Sequence, residues 1–188
     1  MLNKKDFENI RNEMNEFEKK REETITASRE IIKLSKIIIY SVHRNELDEA
    51  FKTIKEIKNK IKLLDKNKNY DTGISSVAFQ EYVEAIVFYE FVKNNKLPNY
   101  KELQVDVEAY LSGLADLTGE ITRKAVHDAI KKDFESCKRI KDLVEDIYGE
   151  FLKFDLRNGE LRKKSDQIKW NLNKLEDLVF SISIGARI

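Results

Sequence analysis

Almost nothing in this chain breaks a helix: its 188 residues include one proline, Pro98, and six glycines. Proline removes a backbone donor and clashes with the preceding turn, while glycine inside a helix costs about 1 kcal/mol against alanine. Their scarcity, beside an abundance of Lys, Glu, Leu, Ile and Asp, makes an all-α fold the expected class. Cysteine is scarcer still, and the lone Cys137 cannot form an internal disulfide, so it reads as a structural or incidental thiol. There is no apolar run of about 18 residues and no basic-then-apolar leader, which points to a cytoplasmic protein with no membrane contact. Net charge is nearly absent as well. The 35 Lys and Arg residues against 34 Asp and Glu leave +1, so attraction to a polyanion has to come from local clustering. The only histidines are His43 and His127, and no Glu-x-x-His, His-Glu-x-x-His, P-loop or Cys-x-x-Cys pattern occurs. Carboxylate-bridged di-iron bundles, zincins and nucleotide-cradling loops are thereby excluded.

What is present is sustained helical periodicity. The length fits one domain over residues 1–188. Turn-forming residues collect at 44–46, 65–73, 94–100, 131–133 and 155–159, and they leave six or seven helices, over 4–43, 47–64, 74–93, 100–130, 134–154 and 159–184. Long helices joined by short loops pack as antiparallel neighbours in a bundle. The last one carries Leu161, Ile168, Leu172, Leu175, Val179 and Ile182 at heptad spacing, a seam along its length. No repeat of solenoid period is present.

The third and fourth helices hold the unusual residues. In the third, Ile74, Val77, Glu81, Glu84, Phe88 and Phe91 form one heptad stripe, and Ala78, Tyr82, Ala85, Tyr89 and Val92 form a second apolar face. Two glutamates thus occupy core registers, where a lone carboxylate costs several kcal/mol unless it is protonated, paired or bound to a cation. In the fourth, Asp116, Glu120, Arg123 and His127 continue a stripe begun by Ala109 and Gly113, beside an apolar row of Tyr110, Leu114, Leu117 and Ile121. Gly113 and Gly119 inside this helix suggest tight packing. Facing one another, the pairs Glu81/Glu84 and Asp116/Glu120 make an all-oxygen set suited to Mg²⁺ or Mn²⁺. In so charged a chain the same spacings also arise on helices whose acids pair with Lys or Arg.

On the first helix, Arg29, Lys33, Lys36, Tyr40, His43 and Arg44 form a basic stripe opposite Ile31, Leu34, Ile38 and Val42. The cations suit phosphates and Tyr40 suits stacking on an unpaired base, and Arg123 and His127, continuing the acidic stripe, suit a phosphate backbone near the acids. A solvated helix face presents the same pattern.

Two segments, Phe79-Gln80-Glu81-Tyr82-Val83-Glu84-Ala85 and Tyr110-Leu-Ser-Gly-Leu-Ala-Asp-Leu-Thr-Gly-Glu120, closely resemble the translin family, and the second is similar to its Trax branch. The segment from Leu161-Arg-Lys-Lys-Ser-Asp-Gln-Ile-Lys to Ser183 resembles the last translin helix, and Lys33-Leu-Ser-Lys36 through Val42-His43-Arg44 fits the first. The chain lacks the long insertion between the acidic motifs and the C-terminal extension of Trax. The resemblance implies a seven-helix subunit of a hollow octamer, in a single-gene homologue of archaeal kind that assembles with itself. It implies an Mg²⁺-dependent endoribonuclease, with Mn²⁺ substituting, whose metal-binding and catalytic residues are Glu81, Glu84, Asp116 and Glu120. The partner is single-stranded RNA, with single-stranded DNA as a further candidate. The alternative is a non-catalytic single-stranded nucleic-acid-binding protein.

Overall fold

The computed structural model describes residues 2–64, 73–157 and 159–185, and among these the chain is seven α-helices with no strand. They are α1 (Lys4–His43), α2 (Leu47–Leu64), α3 (Ile74–Asn94), α4 (Tyr100–Leu103), α5 (Val107–Ile130), α6 (Phe134–Phe151) and α7 (Glu160–Ser183). Most of the break expected over 65–73 lies outside the described residues. The helix expected over 100–130 is in fact two. Asn99 opens α4 with a capping box shared with Glu102, Gln104 then takes a left-handed conformation (φ 57°), and Asp106 restarts the chain by accepting from the Ala109 amide. Without a glycine or proline at the break, periodicity alone ran straight through it. Helix α6 stops three residues short of the expected end.

The contacts divide the bundle into two layers that meet along one seam. Helix α1 packs on α2 and α3, α6 packs on α5 and α7, and α3 packs on α5 between the two groups. A helix in that central position has to be apolar nearly all round, and α3 is: Tyr82, Val83, Ala85, Ile86, Phe88 and Tyr89 are all buried. The seam closes where Gly113 of α5 meets α3. A Cβ built at Gly113 would lie 2.6 Å from the Gln80 carbonyl oxygen and 2.6 Å from Val83 Cβ, so only glycine permits this approach. Gly119 differs from expectation: its nearest neighbour, Asn171 Nδ2, is at an ordinary 3.7 Å.

The ends of the bundle are less closed than its middle. At 1.5 Å per residue α1 is about 60 Å long, but burial begins only near Thr24, and every residue from Leu2 to Lys20 is exposed. In α7 Ile168, Leu172 and Leu175 are buried, Leu161, Val179 and Ile182 half-buried, and Trp170 and Phe180 exposed. Among the described residues no helix is long and apolar enough to cross a membrane.

Candidate active site

The α3–α5 seam brings both acid pairs together. Val77, on the same α3 stripe, faces solvent, but Glu81 and Glu84 are half-buried, two turns and one turn before the fully buried Phe88. Across the seam Asp116 and Glu120 are half-buried on α5, between Leu117, Thr118 and Ile121 in the core. Glu81 and Glu84 lie close enough to Asp116 and Glu120 to feel their charges. Burial, then the charges of Asp116, Glu81 and Glu120, push the Glu84 carboxyl up to about 8. Burial likewise raises Glu81, against the opposing pull of the Lys36 ammonium. Glu120 moves the other way, held below the ordinary carboxylate range by its hydrogen bond to His43. One site therefore contains a carboxyl that keeps its proton near neutral pH and a carboxylate that stays ionised.

Each acid on α5 has a basic partner from another helix. His43, at the end of α1, places Nε2 at 2.5 Å from Glu120 Oε2. Because an ionised carboxylate can only accept, Nε2 is the donor in this contact. The ring is 5% exposed and rests 4.8 Å from the Phe88 ring centroid. On α7, Lys164 Nζ donates to both oxygens of Asp116, at 2.6 and 2.5 Å. Among the described residues no three His, Cys, Asp or Glu side chains are gathered at metal-ligating separation. In this conformation Asp116 and Glu120 are turned to Lys164 and His43.

The residues expected to hold RNA fall in three places. Arg29, Lys33, Lys36 and Tyr40 line one open groove of about 440 Å³ on α1, with Ile32 and Ile37. Tyr40 is 58% exposed, outside the core. Arg44 leans over it, 5.5 Å from the ring centroid, and also donates to Glu46 at 2.7 Å. His43 leaves this stripe and points to the acids. Arg123 and His127 stand exposed at the rim of the acid site, with Arg123 Nη1 3.9 Å from Glu120 Oε2 and the His127 ring 5.9 Å from that of His43. Lys164 is the residue the sequence reading missed. It had one signal, a cation one turn before Ile168 on the inward face of α7, the same kind of anomaly as the two glutamates of α3.

The translin family model matches residues 19–185. The chain belongs to the translin family. It is 26% identical over 200 residues to the Translin-associated protein X homolog of Schizosaccharomyces pombe, covering 94% of this chain and 86% of that protein. Among solved structures, apo-NeC3PO is 34% identical with a TM-score of 0.88, over 96% of this chain and 97% of that one. The AfC3PO complex with duplex RNA is 29% identical with a TM-score of 0.81, over 95% and 97%.

Proposed function

We propose that this translin-family chain is a divalent-metal-dependent endoribonuclease of the cytoplasm that hydrolyses single-stranded or flexible RNA inside a self-assembled octameric shell. One observation carries the reading: two acid pairs from separate helices converge in a half-buried site beside a basic, aromatic groove. The donors fit a hard cation, since they are carboxylate oxygens with no thiol among them and their mutual repulsion is already visible at Glu84. Asp116 and Glu120 would be direct ligands of Mg²⁺ or Mn²⁺, with Glu81 and Glu84 completing the shell or orienting water. Bound there, such an ion supplies an activated water and neutralises charge on the phosphate. His43 fixes the Glu120 carboxylate from behind, and the Phe88 ring limits how far that imidazole can turn. Lys36 and Arg123 stand at the margins of the acids, where a phosphodiester backbone would pass. The similarity to AfC3PO in its complex with duplex RNA supports RNA as the partner class.

A second reading keeps the nucleic-acid binding and drops the chemistry. It is favoured by the pairing of Asp116 with Lys164 and of Glu120 with His43, which treats the acids as structural ion pairs. The two are separated by incubating purified protein with labelled single-stranded RNA, duplex RNA and single-stranded DNA in Mg²⁺, Mn²⁺ or chelator. Cleavage of RNA in metal and not in chelator is the expected result. Binding of RNA with no cleavage in any metal leaves the second reading standing.

A further inference from the structure

We propose that Lys164 is a built-in competitor for divalent metal: in the metal-free chain its ammonium occupies the cation position on Asp116, and it must be displaced before the site can load. The inference rests on the metal-dependent reading above.

The position of Nζ is the first reason. At 2.6 and 2.5 Å from Oδ1 and Oδ2, the ammonium straddles both carboxylate oxygens, the atoms with which Asp116 would hold a hard cation. An ammonium on both oxygens opposes a divalent ion on the same carboxylate, because like charges at that separation repel strongly. His43 does not block Glu120 in the same way, since its contact and that of Arg123 both fall on Oε2.

Burial is the second reason. The Lys164 and Asp116 side chains are 20% and 35% exposed, whereas the neighbouring pair Lys163–Glu160 is 75% and 76% exposed. Adjacent lysines thus do different things: Lys163 decorates the surface, and Lys164 is turned into a partly dry site where an ion pair is screened less. Its charge also favours the ionised forms of Glu81 and Glu84. It therefore offsets part of the repulsion of the whole cluster.

The third reason is that α7 does not need Lys164 to stay docked. Asn171 Nδ2 donates to Thr118 Oγ1 of α5 at 2.9 Å in the buried interface, and Ile168, Leu172 and Leu175 are buried along the same face. Displacing the ammonium needs only rotation of a long, flexible side chain, with the helix unmoved. Loading then exchanges one cation for another on a preformed carboxylate, and the lost Lys164–Asp116 pair raises the metal concentration required.

The test is a Mn²⁺ titration of the full-length chain without RNA, at fixed pH and salt, followed by calorimetry and by the signal of free Mn²⁺, with melting in chelator alongside. Lys164→Met keeps the apolar stem and removes the charge. It is expected to bind Mn²⁺ roughly tenfold more tightly than wild type, about 1.4 kcal/mol, and to melt lower in chelator. Lys164→Arg keeps a cation and should stay near wild type. Lys164→Gln should shift in the same direction as Met, which preserves the test should the Met variant not fold. Unchanged or weaker Mn²⁺ binding in the neutral variants, with Asp116→Asn having lost it, overturns the proposal while leaving the metal site in place. No Mn²⁺ binding by wild type, or binding by Asp116→Asn equal to wild type, overturns the metal reading and this inference with it.

Discussion

The carboxylates of the seam are chemically unequal, and each calls for its own substitution. Glu120 is held ionised by His43. Glu120→Gln keeps the shape and a hydrogen-bonding oxygen but removes the anion that a hard cation requires. We expect Glu120→Gln and Asp116→Asn each to reduce RNA cleavage to background while RNA affinity is unchanged or slightly tighter, read from a cleavage time course beside a binding titration at one salt concentration. Wild-type cleavage in both variants would place the activity elsewhere. Glu84 responds to pH. Its folded carboxyl titrates at about 8 and its unfolded one near the ordinary 4.5, so the folded state holds the proton more tightly. Its contribution is complete below about pH 4.5 and is lost as pH rises towards 8. In chelator, the wild-type fold should therefore weaken over this window by up to about 5 kcal/mol from this group, at about 1.4 kcal/mol per pKa unit. Glu84→Gln should remove that slope and be the more stable protein at pH 8, as measured by denaturant melts at several pH values.

At the scale of the element, the α3–α5 crossing sets the distance between the acid pairs. Gly113 has no room for a methyl group, with backbone and Val83 at 2.6 Å. Gly113→Ala must force the helices apart and is expected to destabilise by about 1–3 kcal/mol. Because the same movement separates Glu81 and Glu84 from Asp116 and Glu120, cleavage should fall further than stability does. Gly149, on the exposed side of α6 with nothing near a built Cβ, is the control. Gly149→Ala should stabilise by about 0.4–1 kcal/mol through the unfolded state and leave cleavage unchanged. Equal effects at the two sites in denaturant titrations would mean that the close approach does not hold the seam.

For the whole molecule, the question is what covers the free half of α1. Phe7, Ile10 and Met14 recur at coiled-coil spacing on a segment whose residues are all exposed, and Trp170 and Phe180 add apolar surface on α7. Apolar seams of this length on a chain with a net charge of +1 suit burial against a second copy of the same chain. Light scattering at micromolar concentration should give a mass several times that of the 22.1 kDa chain. Ile10→Glu with Met14→Glu should lower that mass without reducing helix content. A wild-type monomer in the same experiment would remove the shell from the proposed function.

The helices and the anomalous residues within them were determined by the sequence alone. Local hydrophobic period and the scarcity of proline and glycine place α1, α2, α3 and α7 within a residue of where they stand, and two glutamates on an apolar stripe mark α3 without any partner being known. Interruption at Gln104 was hidden because a non-glycine residue adopts the left-handed conformation there, under the combined caps of Asn99 and Asp106. Which charges meet was decided only in three dimensions. The Lys164–Asp116 and His43–Glu120 pairs span 48 and 77 residues. Periodicity describes one helix at a time, so no local pattern can show that His43 leaves the basic stripe for the acids, or that one of two adjacent lysines turns inward. Those outcomes follow from the packing of α1 and α5 on α3 and of α7 on α5, where burial brings His43 to Glu120 and Lys164 to Asp116.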